Sequence, residues 1–306
     1  MKPEFYIQDD KLIAKEEWER IVLDIKNSVK ENSNKNLNDK PRAKQLLKRE
    51  ITRAIEERFP DEKFGILFSG GVDSSLIALV AKKAGKDFVC YTVGFKDEGT
   101  KEPEDVVYAE KAADAIGVNL KVKITSLEQA HELFKKTVNI LGKELNNVVN
   151  VGVGSVEVAC LEMAKQDNVK HLFSGLGSEE IFAGYQRHRE AENRQAECWR
   201  GLVNMYERDL LRDFAVAGNE KISFSTPFLD RELIGVAMRI PDKLKIDNEN
   251  SKIILREVAE DLGLPREIAW RGKRAAQYGS RLDKAISKLA KKKGFEYKKD
   301  YLKSLE

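Results

Sequence analysis

The sequence predicts an α/β fold in which a doubly wound parallel sheet carries N-terminal helices and a charged, helical C-terminal region. Three observations support this prediction. Short apolar runs alternate with helical patterns between residues 64 and 174, glycine-rich turns follow two of these runs, and the pattern after Gly184 is mostly helical. Strands that alternate with helices indicate a parallel sheet with crossover helices. Ligands of such sheets bind at the carboxyl ends of the strands.

The bulk composition is that of a globular chain with a heavily charged surface. The chain has 306 residues, of which 42% are hydrophobic and 34% charged, with a net charge of +3. This mild basicity permits a nucleic-acid partner without arguing for one. Three widely separated cysteines, no apolar leader and no membrane-length apolar run together predict a cytoplasmic protein with reduced thiols and no membrane partner. A homodimer is left open.

Residues 1–60 are predicted to form an N-terminal helical extension, and residues 61–306 the main domain. Apolar residues recur at helical spacing from Trp18 to Val29 and again from Leu46 to Phe59. The Asn-rich break between the two patterns ends in Pro41, a residue that suits the first turn of a helix. What the first helix contacts does not follow from the sequence.

The stretch 64–84 predicts a strand, a glycine-rich turn and a helix. Ile66, Leu67 and Phe68 suit a strand that is buried on both faces. The following turn is rich in groups that can bind an anion, because glycine backbone approaches closely, serine hydroxyls donate and a helix N-terminus favours negative charge. These groups are Ser69, Gly70, Gly71, Asp73, Ser74 and Ser75, with Ser74 or Ser75 as the expected helix cap.

Asp73 is the unexpected member of this turn. A carboxylate beside a phosphate makes chemical sense mainly when Mg²⁺ lies between them. The alternative is an ordinary strand-to-helix turn with capping serines, which the complete Ser-Gly-Gly-x-Asp-Ser-Ser run disfavours. The turn is neither a Walker A loop nor a dinucleotide-binding fingerprint.

Further elements follow in order after this turn. The predicted strands are 88–93, 119–124 and, as the last strand, 170–174; the predicted helices begin at Glu102-Pro103 and Ser126 and include 154–164. Gly94 and the turn 174–178 then lie at strand ends together with the first turn. Three loops are therefore expected to converge on one nucleotide.

The stretch 174–185 is a second glycine-rich turn that follows a strand. Gly175 and Gly177 allow close approach of the backbone, and Glu179 and Glu180 open a helix. Alone they would be ordinary N-terminal acids. Opposite Asp73, one of them would supply a second oxygen ligand for Mg²⁺.

These motifs resemble those of the ATP pyrophosphatases, in particular the C-terminal domain of the asparagine synthetase family, whose fold is of the adenine nucleotide alpha hydrolase type. The first turn is similar to the family's pyrophosphate loop, and Ser174–Tyr185 to its Ser-Gly-Glu-Gly-Ser-Asp-Glu motif. Pro227–Asp230, Lys252–Arg256 and Trp270–Lys273 match further family segments in the same order. The resemblance covers about residues 45 to 285.

The resemblance implies ATP and Mg²⁺ as cofactors and gives roles to individual residues. The adenine end would lie against Leu67, Val93 and Gly175, and the phosphates against residues 69–75. Asp73 and Glu179 would hold Mg²⁺. Lys273 would stabilise the adenylate and the departing pyrophosphate, on which negative charge develops. As an isolated residue, Lys273 would be ordinary surface charge.

Three departures from the family pattern affect the expected chemistry. Position 2 is Lys2, where glutamine-using asparagine synthetases have the cysteine of a glutaminase domain, so ammonia is expected free or from a separate glutaminase subunit. Leu176 stands where the synthetases carry a glutamate implicated in amide formation, and leucine cannot relay a proton. Glu179 replaces the usual aspartate and is one methylene longer.

The segments 184–189 and 273–281 are most similar to the asparagine synthetase domain-containing proteins. They contribute a cluster of basic side chains, namely Arg187, His188, Arg189, Arg274 and Arg281. Such a cluster suits an anionic substrate, either a carboxylate or a polynucleotide phosphate. Ion pairing with Glu190 and Glu192 is an equally open alternative.

The leading hypothesis is an ATP-dependent carbon–nitrogen ligase that adenylates a carboxylate, releases pyrophosphate and transfers ammonia. A second hypothesis is amidation of a carboxyl group on a modified tRNA nucleoside, which the basic cluster motivates. A third is a non-catalytic ATP-binding scaffold, supported only by Leu176. No motif identifies the acceptor.

Overall fold

The computed structural model describes residues 1–31, 37–98, 100–272 and 275–306. The strands are β1 (Ile7–Gln8), β2 (Lys11–Leu12), β3 (Phe64–Leu67), β4 (Phe88–Phe95), β5 (Leu120–Thr125), β6 (His171–Phe173) and β7 (Ser223–Ser225). The helices of the first two thirds are α1 (Lys15–Glu31), α2 (Lys40–Glu56), α3 (Val72–Lys83), α4 (Glu104–Ile116), α5 (Leu127–Leu145), α6 (Val148–Gln166), α7 (Ser178–Ile181), α8 (Gln186–Glu190) and α9 (Arg194–Met205).

The last third of the chain is mostly helical, as predicted. A π-helical turn (Tyr206–Leu210) leads into α10 (Leu211–Glu220), and 3₁₀ turns lie at Pro227–Leu229 and Asp242–Leu244. The remaining helices are α11 (Arg231–Arg239), α12 (Ile253–Asp261), α13 (Arg266–Ala269), α14 (Ala276–Gly279), α15 (Leu282–Lys292) and α16 (Lys298–Lys303).

Five parallel strands form the central sheet in the order β5-β4-β3-β6-β7. From β3 the chain moves outward to β4 and β5, and it then returns to place β6 on the other side of β3. The direction of winding therefore reverses between β3 and β6, and the loops after these two strands flank one crevice. This reversal is where open α/β sheets bind their ligands. The predicted doubly wound parallel sheet is confirmed.

Both faces of the sheet are buried against helices. Alternate side chains of β4 enter two separate hydrophobic clusters, because successive residues of a strand point to opposite faces. Cys90 packs in a cluster with residues of α1–α4, α11 and α12, whereas Tyr91 and Val93 pack in a cluster with residues of α5, α6 and α15. The sheet is therefore a rigid platform whose loops at the carboxyl edge can be held in fixed positions.

The structure corrects several predicted element boundaries. Strand β4 continues to Phe95, so Gly94 lies within the strand and not after it. Residues 170–174 do not contain the last strand, because β7 follows at Ser223–Ser225 and pairs with β6. The sequence gives little sign of β7, which has one apolar residue between two serines. The hairpin of β1 and β2 within the N-terminal extension was also not predicted.

The two predicted N-terminal helices are present as α1 and α2. Asp39 caps α2 by accepting a hydrogen bond from the Arg42 backbone N–H at 2.8 Å, and Pro41 lies in its first turn. Trp18 of α1 is fully buried, and its indole N–H donates to the Leu202 carbonyl at 3.0 Å. The N-terminal segment is thus packed into the same hydrophobic cluster as β3. In the described part of the chain, no helix is long and apolar enough to cross a membrane.

Candidate active site

The loop after β3 turns sharply at Gly70, which has a positive φ of 68°. A side chain there would overlap the backbone of Tyr108 in α4, so only glycine fits. Helix α3 begins at Val72 with Gly71 as its N-cap residue, and neither serine caps the helix, contrary to the prediction. Ser74 and Ser75 instead lie in the first turn, and Ser74 Oγ donates to the Gly71 carbonyl at 3.3 Å.

The Ser75 hydroxyl is buried and has no hydrogen-bond partner among the described residues. An unpaired buried polar group costs free energy, about 1–3 kcal/mol, so its presence needs an explanation. The hydroxyl belongs to the first turn of a helix at the ligand-binding edge of the sheet, where a bound anion would be favoured. We interpret it as a donor available to an anionic ligand.

The loop after β6 packs directly against the first loop. Gly177 has a φ of 96°, and a Cβ on Gly175 would lie 2.9 Å from Asp73 Cβ. The two glycines thus let the loops approach each other and start the short helix α7 with Glu179 in its first turn. Asp73 and Glu179, both nearly fully buried, come from opposite sides of the crevice.

Lys252 joins these two carboxylates. Its ammonium contacts both Asp73 oxygens, at 2.9 Å for Oδ1 and 2.8 Å for Oδ2, and it contacts Glu179 Oε1 at 2.8 Å. It also donates to Ser178 Oγ at 2.9 Å. Buried charges are stable only when paired and hydrogen-bonded in this way. The cluster of Asp73, Ser178, Glu179 and Lys252 is called the acidic clamp below.

The backbone at Lys252 is itself unusual. This residue has a positive φ of 57°, and it lies directly before α12. For a residue with a Cβ, this conformation costs roughly 1–3 kcal/mol and is concentrated at functional sites. The strained backbone aims the ammonium into the crevice and is maintained by the carboxylates that bind it.

Gly184 closes one side of the acidic clamp. A Cβ there would overlap Glu179 Oε2 and lie 2.6 Å from Lys252 Cε. Its backbone N–H donates to the Glu179 carbonyl at 2.8 Å. The glycine within the Ser174–Tyr185 motif therefore has a steric reason, which is to leave room for the carboxylate and the ammonium.

Two buried arginines brace the C-terminal segment against the site. Arg256 donates to the carbonyls of Ala269 at 2.6 Å and Arg271 at 2.9 Å. Burial lowers its pKa, whereas the nearby charges of Asp73 and Glu179 act in the opposite direction. Both arginines are almost fully buried, so they act as internal cross-links.

Arg271 contacts the loop after β3 directly. It donates to the Ser69 carbonyl, pairs with Asp105 Oδ1 at 2.6 Å and lies 4.1 Å above the centre of the Tyr108 ring. Asp105 is the single acid paired with it in the described ion pairs. The arginine therefore holds the first residue of the loop against α4.

The remaining predicted site residues, apart from Lys273, lie on β3, on β4 and in the loop after β3. Leu67 ends β3 and Val93 lies on the neighbouring strand β4, where its side chain is buried in the core. Ser69 Oγ accepts a bond from the Gly71 N–H at 3.4 Å, within the loop. Lys273 lies outside the described residues, so its predicted role stays a prediction.

The donor set of the clamp suits Mg²⁺. Asp73, Glu179 and Ser178 offer hard oxygen ligands, and Mg²⁺ typically binds one or two carboxylates together with substrate phosphates. In the described part of the chain, no group of three or more His, Cys, Asp or Glu side chains could hold a metal ion. The two carboxylates and the hydroxyl would hold a metal only together with phosphate oxygens of a bound nucleotide.

The described members of the predicted basic cluster make structural contacts, and none of these described contacts is with Glu190 or Glu192. Arg187 pairs with Glu197 at 3.1 Å and stacks on Tyr185, with 4.0 Å to the ring centre. Arg189 donates to the carbonyls of Asp247 at 3.2 Å and Glu249 at 3.3 Å. These side chains therefore brace the C-terminal region.

The two other described members of the basic cluster, His188 and Arg281, are also hydrogen-bonded within the protein. His188 is buried, its Nδ1 accepts from the Tyr185 N–H at 3.1 Å, and burial lowers its pKa to about 4. The Arg281 guanidinium donates to the Lys101 carbonyl. Arg274 lies outside the described residues.

The two acids of α7 have different surroundings. Glu179 faces Lys252, whereas Glu180 bonds Arg208 at 2.5 Å and lies against α9. Burial raises the pKa of Glu180 to about 7, although the Arg208 charge opposes this rise. The residue pattern alone left open which acid enters the crevice, whereas the family resemblance implied Glu179; in the structure Glu179 is the acid that contacts Lys252.

Sequence reasoning missed the role of Lys252. The segment Lys252–Arg256 had been matched to a family motif, but no chemistry was given to the lysine. The signal that could have identified it is the family match at Lys252–Arg256 together with the general rule that buried acids pair with a cation. The four clamp residues come from three distant parts of the sequence.

Taken together, these features define an α/β protein with a candidate anion-binding crevice where the winding of its sheet reverses. A family model for asparagine synthase matches residues 46–215 and 193–297. The chain therefore belongs to the asparagine synthase family. This membership agrees with the resemblance seen in the sequence.

Full-length relatives in this family are longer than this chain. The chain is 32% identical to a provisionally named glutamine-hydrolyzing asparagine synthetase of Methanocaldococcus jannaschii over 96% of its own length and 58% of that protein. It is 30% identical to the human glutamine-hydrolyzing asparagine synthetase over 75% of its length and 42% of that protein. Among solved structures, it is similar to the NMN synthetase of Francisella tularensis at 12% identity and a TM-score of 0.40, with 86% of this chain and 92% of the other covered.

Proposed function

We propose that this chain is an ATP-dependent ligase that adenylates a carboxylate, releases pyrophosphate and forms an amide with ammonia. The observation that supports the proposal most directly is the acidic clamp at the reversal point of the sheet. There, the Lys252 ammonium lies within 2.9 Å of two carboxylates and one hydroxyl. The Ser75 hydroxyl, which has no partner among the described residues, lies in the first turn of α3, two residues after Asp73. Phosphoryl chemistry needs this mixture of fixed donors and metal-binding oxygens.

In the first step, an oxygen of the acceptor carboxylate bonds to the α-phosphorus of ATP, and the bond to the α,β-bridging oxygen breaks. Negative charge then accumulates on the pyrophosphate that leaves. The Ser75 hydroxyl and the backbone N–H groups at the start of α3 would donate to these phosphates. Mg²⁺, when bound by Asp73 and Glu179, would neutralise part of the phosphate charge.

Lys252 would hold the two clamp carboxylates in place and add positive charge beside the phosphates. Its ammonium bonds Asp73 and Glu179 within the crevice, where it would also donate to a phosphate oxygen. Lys273 would add a second cation at the pyrophosphate, as the family resemblance implies.

In the second step, ammonia attacks the acyl carbon, AMP leaves, and a proton is lost from nitrogen. Leu176 cannot accept that proton, so the attacking molecule must enter as neutral ammonia and the proton must leave to AMP or solvent. Ammonia would be free or supplied by a separate glutaminase subunit. The acceptor is a carboxylate whose identity the clamp does not select.

The test is ATP–pyrophosphate exchange with Mg²⁺, measured with aspartate, with bulk tRNA and with a panel of other carboxylic acids. Exchange with any acceptor, lost in Asp73→Ala and in Lys273→Ala, would support the ligase. Exchange with tRNA alone would move the acceptor to a nucleoside carboxyl group. ATP binding without exchange under all acceptors would contradict catalysis and favour a nucleotide-binding scaffold.

A further inference from the structure

A cavity of about 540 Å³ lies beside the edge strand β7. Its walls come from α10, β7, the N-terminal hairpin and the loop after β6. Aromatic and aliphatic side chains dominate the lining, among them Tyr6, Leu176, Leu210, Phe214, Ile222 and Phe224. The volume lies within the range of about 300–1,000 Å³ that small-molecule sites occupy. It is therefore large enough for a ligand of many atoms.

The cavity and the crevice share one wall. In the loop after β6, Gly175 lies against Asp73 of the acidic clamp, and the next residue, Leu176, lines the cavity. Thr226, which directly follows β7, lines the cavity at the same edge of the sheet. A ligand in the cavity would therefore lie one loop away from the clamp and at the ligand-binding edge.

The lining is a poor match for aspartate. Aspartate is small and carries a second carboxylate, whose burial among apolar side chains would cost free energy without a paired cation. Two acids line the cavity: Asp10 is exposed, and Asp213 is bonded to Arg212 at 2.5 Å, with a pKa that burial raises. Neither acid can pair with a second carboxylate, and the two lysines of the lining, Lys170 and Lys221, are exposed to solvent, where an ion pair contributes little.

Polar contacts in the cavity suit hydrogen bonding to a neutral group. The Tyr6 hydroxyl and Thr226 Oγ1 lie 2.6 Å apart and are buried. Either hydroxyl can turn to meet a ligand, because each is both donor and acceptor. The charged side chains Asp10, Lys170 and Lys221 in the lining are exposed and lie towards solvent.

We propose that this cavity binds the body of the acceptor and that the acceptor is a carboxylic acid with an apolar or aromatic body larger than aspartate. Its carboxylate reaches the nucleotide crevice past Leu176. The Leu176 side chain forms one surface of this site. Such a contact role suits leucine, which cannot accept or relay a proton. This inference rests on the proposed adenylation reaction.

The test uses three defined acids, indole-3-acetate, 4-phenylbutyrate and hexanoate, with aspartate as the comparison. Each is titrated by calorimetry into the full chain saturated with Mg²⁺ and α,β-methylene-ATP, and each is tried in ATP–pyrophosphate exchange. At least one apolar acid is expected to bind more tightly than aspartate and to support exchange. Leu176→Glu should weaken that binding at least about tenfold, because it places a carboxylate opposite an apolar body.

Leu176→Met is the matched variant, since it keeps the volume and the apolar surface. It should bind the same acid within about threefold of the wild-type chain. Binding of α,β-methylene-ATP to the wild type is measured first, so a failed nucleotide site is distinguished from a failed acceptor cavity. The inference is overturned if no apolar acid binds, if aspartate alone binds or supports exchange, or if Leu176→Glu binds the acid as tightly as wild type.

Discussion

The two sides of the loop after β6 differ in nearly every physical property. On the crevice side, Glu179, Asp73 and Lys252 are charged, buried and bonded to one another. On the cavity side, Leu176 faces a mostly apolar space beside β7. One face is organised by directional bonds that tolerate little displacement, and the other by shape and apolar area.

This difference matches the two tasks of the proposed function, which are binding of ATP and binding of the acceptor. ATP presents the same charges to every enzyme that cleaves it between the α- and β-phosphates, so its site needs fixed donors, cations and close backbone approach. An acceptor is distinguished by its body, which apolar side chains recognise through volume and desolvation. A short sequence motif can therefore predict a nucleotide site, whereas no motif in this sequence predicts the acceptor site.

The largest effect is expected from Gly184→Ala, which breaks the crevice side alone. Its Cβ would overlap Glu179 Oε2, so the carboxylate and Lys252 must move. We expect pyrophosphate exchange to fall by about 100-fold or more, as displacement of a catalytic group by about 1 Å can do. The measurement is exchange at saturating ATP.

Gly235→Ala is the control for this change. Gly235 lies inside α11 and has no atom within 4 Å of an added Cβ. The variant should keep full exchange and raise the free energy of unfolding by about 0.5–1 kcal/mol, because alanine favours the helix. Equal losses of activity in both variants would contradict the steric role of Gly184.

The next effect is expected from Lys252→Met, compared with Lys245→Met. Both lysines are buried, but Lys245 has as its described partners Gln195 Oε1 at 3.5 Å and Met238 Sδ at 3.8 Å. Lys252→Met removes an ammonium that bonds two buried carboxylates, which should cost about 3–5 kcal/mol of unfolding free energy and abolish exchange.

Lys245→Met removes a buried charge that has no carboxylate partner among the described residues, so it should retain exchange and leave the unfolding free energy equal or higher. If the fold of Lys252→Met is lost, Lys252→Arg keeps the charge and tests activity in a folded chain. Guanidinium-induced unfolding and exchange are measured on all three. Normal exchange in both Lys252→Arg and Lys252→Met would contradict a role for Lys252 in the reaction.

A moderate effect on exchange is expected when Arg271 no longer fixes the loop after β3. Arg271→Lys cannot bond the Ser69 carbonyl and Asp105 Oδ1 with one planar group, nor stack on Tyr108 in the same way. We expect KM for ATP in the exchange reaction to rise by about tenfold with a smaller change in kcat. Asp105→Asn should act in the same direction. A fall in kcat alone would contradict a role in fixing the phosphate loop.

The smallest effect concerns the pH dependence of stability. Burial lowers the pKa of Lys245 to about 8 from the ordinary value of 10.5. Between these values the unfolded chain binds more protons at this site than the folded chain, so Lys245 makes stability rise with pH. Its cost is fully present below about pH 8 and is relieved as the pH rises to 10.5.

Lys245→Met should remove this contribution, which has an upper limit of about 1.4 kcal/mol per pH unit. The check is the difference in unfolding free energy between wild type and Lys245→Met from pH 7 to 10. The stability advantage of the variant should shrink as the pH rises. A constant difference would show that Lys245 titrates normally.

Most of the crevice could be predicted from the sequence because its signals are local. The glycines at 70 and 175, the serine-rich turn and the acids Asp73 and Glu179 each lie within a few residues of a strand end. Alternation of strands and helices then brings such ends to one edge. Family membership and the parallel sheet are confirmed, whereas the residue roles stay predictions.

The parts that could not be predicted depend on contacts between distant segments. Lys252 meets Asp73 across 179 residues, and no local pattern records such a contact. The cavity likewise needs the N-terminal hairpin, α10 and β7 together, and β7 is too short for a strand signal. The predicted serine cap of α3 was wrong because Gly71 takes the cap position and both serines lie in the first turn of the helix.

The most direct measurement is calorimetric binding of α,β-methylene-ATP with Mg²⁺ to the wild type, Gly184→Ala and Gly235→Ala, because it does not depend on knowing the acceptor. If the acidic clamp is the ATP site, the wild type and Gly235→Ala bind alike and Gly184→Ala binds at least about tenfold more weakly. Omission of Mg²⁺ should weaken binding to the wild type. Equal, Mg²⁺-independent binding by all three variants, or no binding by the wild type, would contradict the account.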